Sequence, residues 1–244
     1  MPGLRIAAAA AASMLTIELV LSACGSRPPG PSPSPSAPSG PIGAAEITGP
    51  VRGAALVAAL HQGGVLLWIR HTERDNRTAT VTPQQAASHD CAAQSELTPT
   101  GRQHATQIGA AIRALTLPIG AVHTARLCRT ETTGRLLNLT PVTDDDRLDA
   151  ASTWINRGGP TAEQRATQQL LSEQPPPGQD LVLISSALDI PHPQPTVLHD
   201  LGPGETAVFR PGPPGHPTLL ARIGETAWPT LLQIAATTPP TPTR

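Results

Sequence analysis

One stretch of the chain, residues 63–75, constrains the fold more than any other. The apolar run Val65–Ile69 follows two glycines and ends abruptly in Arg70 and His71. A short apolar run bounded in this way predicts a buried β-strand. In open α/β sheets, ligands bind at the carboxyl ends of the strands, where Arg70 and His71 would emerge. A nucleophilic histidine beside a fixed cation suits the uptake of a phosphoryl group, whereas the alternative is that both residues merely begin a solvated loop.

The rest of the folded part predicts an α/β protein. Thr98 is a suitable N-cap and Pro99 a suitable first residue for a helix with one apolar face. A strand, a helix and a strand in succession predict a right-handed crossover with a parallel strand pair. We therefore expect a three-layer α/β/α sandwich with a mostly parallel central sheet. The expected helices cover residues 51–61, 99–117, 126–137, 161–171 and 227–235; the expected further strands cover 119–124, 180–186 and a hairpin of 205–210 with 218–223; the expected loops are 72–97 and the acidic segment 143–149.

The amino terminus predicts export and lipid anchoring. Residues 1–24 combine a basic start and an apolar run with the sequence Leu21-Ser22-Ala23-Cys24, which is typical of a bacterial lipobox. We expect Cys24 to be lipidated and to hold the protein on the outer face of the cytoplasmic membrane. A linker rich in Pro, Ser and Gly spans 25–46, the predicted domain spans 47–236, and a disordered tail spans 237–244.

Charge and composition limit the classes of molecule that the chain is expected to bind. The formal net charge is -1, all 17 cations are arginines, and the chain has one Phe and no Tyr. Without a basic run or interleaved aromatic residues, nucleic-acid binding is unsupported. His199 and His216 lack metal-ligand spacing, so we expect no metal and no cofactor. The expected partners are the membrane, through the anchor, and a small phosphorylated molecule or other anion; the sequence does not predict an oligomeric state.

Two cysteines remain once Cys24 is assigned to lipid. Cys91 and Cys128 lie in the predicted exported domain. In an oxidising compartment such a pair favours a disulfide. The alternative is two buried thiols.

A second strand end carries matching chemistry. The segment from His123 to Thr130 follows the predicted strand at 119–124 and opens a helix, and it includes Thr124 and Arg129. Free backbone N–H groups at a helix start attract anions, and a guanidinium adds charge and paired hydrogen bonds. The sequence therefore predicts an anion site shared by two strand ends.

Taken together, these motifs resemble the histidine phosphatase superfamily, which has the phosphoglycerate-mutase-like fold. The resemblance covers most of residues 60–223. Arg70-His71-Thr72 resembles the family's Arg-His-Gly signature. Leu97-Thr98-x-x-Gly101-Arg102-x-x-Ala105 resembles its Leu-Thr/Ser-x-x-Gly-x-x-Gln-Ala helix start. Thr124 with Cys128-Arg129-Thr130 resembles its Ser-x-x-x-x-Arg-x-x-x-Thr segment, and a Cys91–Cys128 pairing resembles the family's exported branches.

The resemblance implies catalysis through a phosphohistidine. His71 would attack phosphorus, and Arg70 and Arg129 would hold the phosphoryl oxygens. Thr124 and Ser186 would join them in binding phosphate. A carboxylic acid would protonate the leaving oxygen. Asp146 is our candidate for that acid, and the alternatives that stay open are Asp149, Glu73 and Asp75.

The chain departs from the family at the end of the late core strand. Family members carry a second histidine there, whereas this chain has Ser186. A serine donates one hydrogen bond but brings no positive charge, and the loss of such a stabiliser costs about 10² to 10³ in rate. His123 or His192 would compensate if either reached the pocket.

Three functions remain in competition. The first is a lipid-anchored phosphohydrolase, slow or acting on an unusual phosphoester. The second is an inactive pseudophosphatase that keeps an anion pocket at Arg70 and Arg129 and serves as a binding or structural protein. The third is an envelope lipoprotein of unrelated function. The arginines and His71 favour the first, and Ser186 favours the second.

Overall fold

The computed structural model of the chain describes residues 43, 45–76, 82, 84–85, 90–186 and 195–237. The predicted signal segment with Cys24, nearly all of the predicted linker, the tail from residue 238, and His192 lie outside the described residues. Within the described ranges, no helix combines the length and the apolar character needed to cross a membrane.

A seven-stranded sheet forms the centre of the molecule. Its strands follow the order β1-β7-β6-β2-β5-β3-β4. The strands are β1 (Ile47–Thr48), β2 (Leu66–Arg70), β3 (Ile119–Thr124), β4 (Val142–Asp144), β5 (Asp180–Ser185), β6 (Thr206–Arg210) and β7 (Thr218–Ile223). The predicted strand after Gly64 is thus β2, in the middle of the sheet.

The sheet has a parallel half and an antiparallel half. β2, β5, β3 and β4 pair in parallel, whereas β6, β7 and β1 continue from β2 in antiparallel pairing. The predicted α/β class and the predicted hairpin of β6 with β7 are confirmed. The sheet as a whole is mixed, and the expected parallel arrangement holds for the half that follows β2 toward β4.

Helices flank the sheet on both faces. They are α1 (Gly53–Gln62), α2 (Pro99–Ala114), α3 (Cys128–Leu137), α4 (Ala151–Trp154), α5 (Gly159–Leu170) and α6 (Trp228–Thr237). The predicted start of α2 is confirmed, because the Thr98 side chain accepts a hydrogen bond from the Gly101 amide at 3.0 Å and Pro99 stands at the first helical position. The Thr98 side chain satisfies an amide that the helix itself leaves unbonded, and Pro99 has no N–H group that would need a partner.

The strand β2 contributes to two apolar cores, one on each face of the sheet. Leu67 and Ile69 pack in the core that includes α1, α2 and α6. Leu66 and Trp68 pack on the opposite face, in the core that includes residues of α5. All four side chains are at most 1% exposed, and burying one such side chain contributes about 2 kcal/mol. The alternation follows from the two-residue period of a strand and produces the predicted three layers.

Two short strands were not predicted. β4 occupies part of the predicted acidic loop at 143–149, and Asp146–Leu148 forms a 3₁₀ turn in the same segment. β1 has two residues and pairs with the end of β7. Neither segment has enough alternating apolar residues to produce a strand pattern, and both lie at the edges of the sheet, where one neighbour suffices.

A buried carboxyl group joins the starts of β2 and β5. The Oδ1 atom of Asp180 accepts a hydrogen bond from the Val65 amide at 3.0 Å. The Asp180 side chain is fully buried. Burial raises the pKa of Asp180 to about 7, and the hydrogen bond from Val65 opposes this shift only in part. The protonated form is therefore favoured by the folded protein.

We expect Asp180→Asn to reduce the fall in the free energy of unfolding that accompanies a rise from acidic to neutral pH. The folded-state pKa of about 7 lies above the ordinary value of 3.8. The contribution of Asp180 to the free energy of unfolding is therefore complete below pH 3.8 and is lost as the pH rises through about 7. The total loss is on the order of 4 kcal/mol. Urea unfolding across this pH range should show a weaker decline for the variant. Asp144→Asn, at an exposed carboxylate, is the control, and equal slopes for the parent and Asp180→Asn would contradict the prediction.

Candidate functional site

Three strand ends meet at one edge of the parallel half of the sheet. Arg70, at the end of β2, lies opposite Ser185 of β5 in the strand register. Thr124, at the end of β3, lies opposite Ile184 of β5. Because neighbouring parallel strands end at the same edge, the segments that follow them are brought together there. The predicted juxtaposition of the segments at Arg70 and Thr124 is thus present.

His71 follows β2 directly and is held in one orientation. Its backbone amide donates to the Ser185 carbonyl at 3.0 Å. Its Nδ1 lies 2.8 Å from the Thr72 carbonyl oxygen. Since a carbonyl can only accept, Nδ1 carries the hydrogen and Nε2 carries the lone pair. The side chain is 1% exposed, and Nε2 has no hydrogen-bond partner among the described residues.

Burial and neighbouring cations keep the His71 ring neutral. Burial is the largest cause that lowers the pKa of His71, which falls to about 3. The charge of Arg129 lowers it further, and the charges of Arg70 and Arg74 add smaller contributions. The hydrogen bond to the Thr72 carbonyl acts in the opposite direction. Near neutral pH, His71 therefore presents an unprotonated Nε2, which is the form that a nucleophile requires.

Arg129 lies in the first turn of α3 and reaches the end of β5. Its Nη2 donates to the Ser186 hydroxyl at 3.1 Å. The side chain is 6% exposed, and its Nε has no partner in the described part of the chain. Burial lowers the pKa of Arg129 to about 10, helped by the charges of Arg74 and Arg70 and opposed by Glu96. The predicted residues Arg129 and Ser186 are thus in contact, and Arg129 remains cationic at neutral pH.

Two buried hydroxyl groups lie at the ends of the same strands. Thr72 and Thr124 are both fully buried. The Oγ1 atom of each has no hydrogen-bond partner among the residues that the structure describes. Most buried polar groups in proteins have hydrogen-bond partners, so these two hydroxyls are exceptions within the described part of the chain. Thr124 was predicted to contact phosphate, whereas Thr72 was noted only as the residue in place of the family's glycine.

Arg74 is a third cation of the site and was not predicted. It forms an isolated β-bridge with Leu97, next to the start of α2. Its charge lowers the pKa of both His71 and Arg129, and on Arg129 it acts more strongly than Arg70 does. The proximity of Arg74 to His71 in the sequence, three residues away, could have indicated a shared site. The predicted loop that contains Arg74 has no regular period, so the direction of its side chain could not be predicted.

A disulfide joins the segment that follows Arg74 to the helix that carries Arg129. Cys91 and Cys128 are bonded, with their Cα atoms 5.6 Å apart, so the predicted disulfide is confirmed. Beside it, the Oε1 atom of the buried Gln94 accepts a hydrogen bond from the Cys128 amide at 3.1 Å. A bridge across a separation of 37 residues contributes about 4 kcal/mol in the chain-entropy model.

The carboxylates proposed as proton donors have other partners. Asp146 is 55% exposed and pairs with Arg157 at 2.9 Å. Asp149 is buried and pairs with Arg126 and Arg157. Glu73 accepts a hydrogen bond from the Thr98 hydroxyl at 2.7 Å. Within the described ranges, none of the contacts of Asp146 joins it to His71, Arg70 or Arg129, so its role as the acid stays a prediction.

His123, considered as a substitute for the missing histidine, faces a different group. Its Nδ1 lies 3.5 Å from Asp145 Oδ2. Asp145 belongs to the acidic segment beside β4 and also pairs with Arg147. Ser186 contacts Arg129, whereas the His123 ring faces the acidic segment.

The chain is an α/β protein with a buried histidine and arginines at one edge of its sheet, and three solved structures are similar to it. The first, the protein histidine phosphatase SixA complexed with tungstate, is 14% identical with a TM-score of 0.46, over 66% of this chain and 97% of that one. The second, phosphoserine phosphatase from Entamoeba histolytica in complex with 3-phosphoglyceric acid, is 17% identical with a TM-score of 0.43, over 64% and 94%. The third, a putative alpha-ribazole-5'-P phosphatase from Escherichia coli, is 15% identical with a TM-score of 0.45, over 64% and 94%.

Each of these three proteins is named as a phosphatase. No protein-family model matches the chain, and no curated protein matches it. Because one fold hosts many activities, identities this low do not transfer an activity to this chain. The chemistry of the site has to be judged from its own residues.

We expect His71→Gln to make the protein less sensitive to acid. The folded-state pKa of about 3 lies below the ordinary value of 6.5, so the folded protein binds fewer protons than the unfolded chain between these values. The free energy of unfolding should therefore fall on acidification through this window, by a total on the order of 5 kcal/mol. Denaturant unfolding between the two values should show the smaller decline for His71→Gln. His216→Gln, at an exposed histidine, is the control, and an undiminished decline in His71→Gln would contradict the prediction.

Proposed function

We propose that this chain is a phosphohydrolase that cleaves phosphomonoesters through a phosphohistidine on His71. One observation carries the proposal: a buried neutral imidazole, fixed through Nδ1, lies within the field of three arginines. Neutral Nε2 supplies the electron pair, and Arg70, Arg74 and Arg129 supply the positive charge that a phosphoryl group requires.

The proposed reaction has two half-reactions. In the first, His71 Nε2 attacks phosphorus, an N–P bond forms, and the P–O bond to the leaving group breaks. The leaving oxygen takes a proton from an acid or from water. In the second, water attacks phosphorus, gives up a proton and breaks the N–P bond, which releases inorganic phosphate and restores neutral His71.

The surroundings of His71 suit both halves. The Nδ1–H group donates to the Thr72 carbonyl, which stabilises the positive charge that the ring gains when Nε2 bonds to phosphorus. The arginines stabilise the oxygens of the phosphoryl group throughout the transfer, mainly through position and charge. The buried hydroxyls of Thr72 and Thr124 are suited to donate to the same oxygens.

The partners of two candidate acids bear on the choice of substrate. Asp146 and Asp149 are held in ion pairs with Arg157. A leaving group that is weakly basic needs little proton transfer as it departs. We therefore propose that aryl phosphates and similar esters are cleaved faster than alkyl phosphates.

A second function is favoured by Ser186. Its hydroxyl accepts a hydrogen bond from Arg129 and adds no positive charge where the family resemblance implies a histidine. Loss of one stabilising group costs about 10² to 10³ in rate. An anion-binding protein without turnover would retain every other feature of the pocket.

Phosphatase assays on three forms of the full chain test these alternatives. We expect the parent to hydrolyse 4-nitrophenyl phosphate slowly, His71→Gln to lose all turnover because the nucleophile is gone, and Ser186→His to gain rate by about 10². Quenching in alkaline detergent, in which the N–P bond of phosphohistidine is stable, should trap label from a ³²P-labelled substrate on the parent and none on His71→Gln. The exposed His216→Gln variant is the matched histidine control. Turnover that persists in His71→Gln would contradict the phosphohistidine mechanism.

Absence of turnover in the parent would have two explanations, and a measurement of oxyanion binding distinguishes them. If the parent binds tungstate and Ser186→His hydrolyses the ester, the protein is the inactive form of the same site. If neither the parent nor Ser186→His binds tungstate or hydrolyses any ester, both proposed functions are wrong.

We further propose that the protein acts as a lipoprotein anchored through Cys24. The support is the sequence Leu21-Ser22-Ala23-Cys24 after an apolar run. In a bacterial host, metabolic labelling with a palmitate analogue should mark the parent and sediment it with membranes. Cys24→Ser should be unlabelled, because the thiol that receives the diacylglycerol is missing. Equal labelling of Cys24→Ser would contradict the anchor, and Cys91→Ser, which removes a different cysteine, is the control.

A further inference from the structure

We infer that the buried ion pair Glu205–Arg222 is a positioning device for Arg70, acting through the turn at residues 200–204. The inference rests on the proposed function, since it concerns how one arginine of the anion pocket is aimed. Glu205 and Arg222 lie in the predicted hairpin of 205–210 with 218–223, and neither was predicted to belong to the anion site.

Arg70 is fixed by a backbone carbonyl of the turn. Its Nη1 donates to the Leu201 carbonyl oxygen at 2.6 Å. A guanidinium is planar, so one bonded Nη atom limits the rotation of the whole group. The direction in which the remaining N–H groups of Arg70 face is therefore set by where Leu201 lies.

The same turn is bonded to the backbone around Arg70. The Gly204 amide lies 3.1 Å from the carbonyl oxygens of both Arg70 and His71. The Arg70 amide donates in turn to the Glu205 carbonyl at 3.1 Å. The turn thus fixes the end of β2 at three places, and its shape determines the exit of the chain toward His71.

The ion pair holds that turn at both ends. The Oε2 atom of Glu205 accepts a hydrogen bond from the Gly202 amide at 2.8 Å, and its Oε1 accepts from Arg222 Nε at 2.5 Å. Arg222 Nη2 donates to the Asp200 carbonyl at 3.2 Å. Both side chains are 2% exposed. One pair therefore anchors the residues on either side of Leu201.

Stability alone is a weak reason for placing charges at these positions. Arg222 lies near the end of β7, between Ala207 of β6 and Thr48 of β1 in the strand register. Apolar side chains of similar volume are often as stable there as a buried ion pair, whereas removal of one partner is strongly destabilising. What apolar side chains would not supply is the set of directed hydrogen bonds to Gly202 and Asp200. The geometry points to positioning as the role of the pair.

The decisive variant is one that keeps the packing and removes the hydrogen bonds. We expect the double variant Glu205→Leu/Arg222→Met, made in the full chain, to fold with a Tm close to that of the parent and to bind tungstate more weakly by about 10-fold to about 100-fold, as for a displaced catalytic group. Titration calorimetry of tungstate gives the affinity, and turnover of 4-nitrophenyl phosphate should show a matching loss in kcat/KM.

A control separates positioning from general loss of stability. Leu60→Ala truncates a fully buried side chain of α1, on a helix that contributes no residue to the pocket. It should lower the Tm and leave the tungstate affinity unchanged at a temperature well below unfolding. Glu205→Gln keeps the shape and loses the charge, and it provides an intermediate case should the double variant not fold.

Two further measurements test whether the ion pair acts through Arg70. In an Arg70→Met background, replacement of Glu205 and Arg222 should cause no further loss of tungstate affinity, because the group that they position is absent. NMR of the guanidinium groups should show slow rotation of the Arg70 Nη atoms in the parent and faster rotation in the double variant or in Glu205→Gln. This second measurement needs no bound ligand.

The outcomes are distinct. Parent-like tungstate affinity and parent-like Arg70 rotation in folded variants would overturn the positioning role. A further loss of affinity in the Arg70→Met background would also overturn it, because the pair would then act on another group. A parent that binds no oxyanion would overturn the proposed function, and the rotation of the Arg70 guanidinium would then decide the positioning role alone.

Discussion

Electrostatic repulsion inside the pocket is the constraint on which the rest of this site depends. Burial lowers the pKa values of both His71 and Arg129, and the charges of the neighbouring arginines lower both pKa values further. Like charges in a poorly solvated place separate unless covalent geometry and hydrogen bonds hold them. Under the proposed function, a bound oxyanion would offset this repulsion.

Each cation is held by a different restraint. Arg70 is bonded to the turn before β6, and Arg129 is bonded to Ser186 at the end of β5. Arg74 forms a β-bridge with Leu97, next to the start of α2. Because these restraints come from separate parts of the chain, a change in one would shift one cation relative to the others. Preorganisation of this kind places the cost of assembling the charges in folding rather than in the reaction.

Local sequence patterns predicted the parts of the site that lie on regular structure. The apolar run before Arg70 located β2, and the strand pattern before Thr124 located β3. Arg74 was missed because the direction of a loop side chain depends on distant contacts, in this case a bridge to Leu97. The Glu205–Arg222 pair was missed because two charges seventeen residues apart in alternating strands have the appearance of solvent-facing residues. The candidate acid Asp146 was chosen from its acidic neighbourhood. Its ion pair with Arg157 depends on the turn between α4 and α5, and the local sequence pattern does not predict where that turn lies.

The central position of β2 has a consequence for the order in which the molecule can form. Its partners in the sheet are β5 and β6, and the hydrogen bond between Val65 and Asp180 spans 115 residues. A strand with such distant partners remains unpaired until most of the chain has been synthesised, and contacts of high sequence separation slow folding. Until then, the apolar run Val65–Ile69 exposes both faces and both edges, which is a hazard for aggregation. The strand that leads into His71 thus needs protection while the chain is still extended.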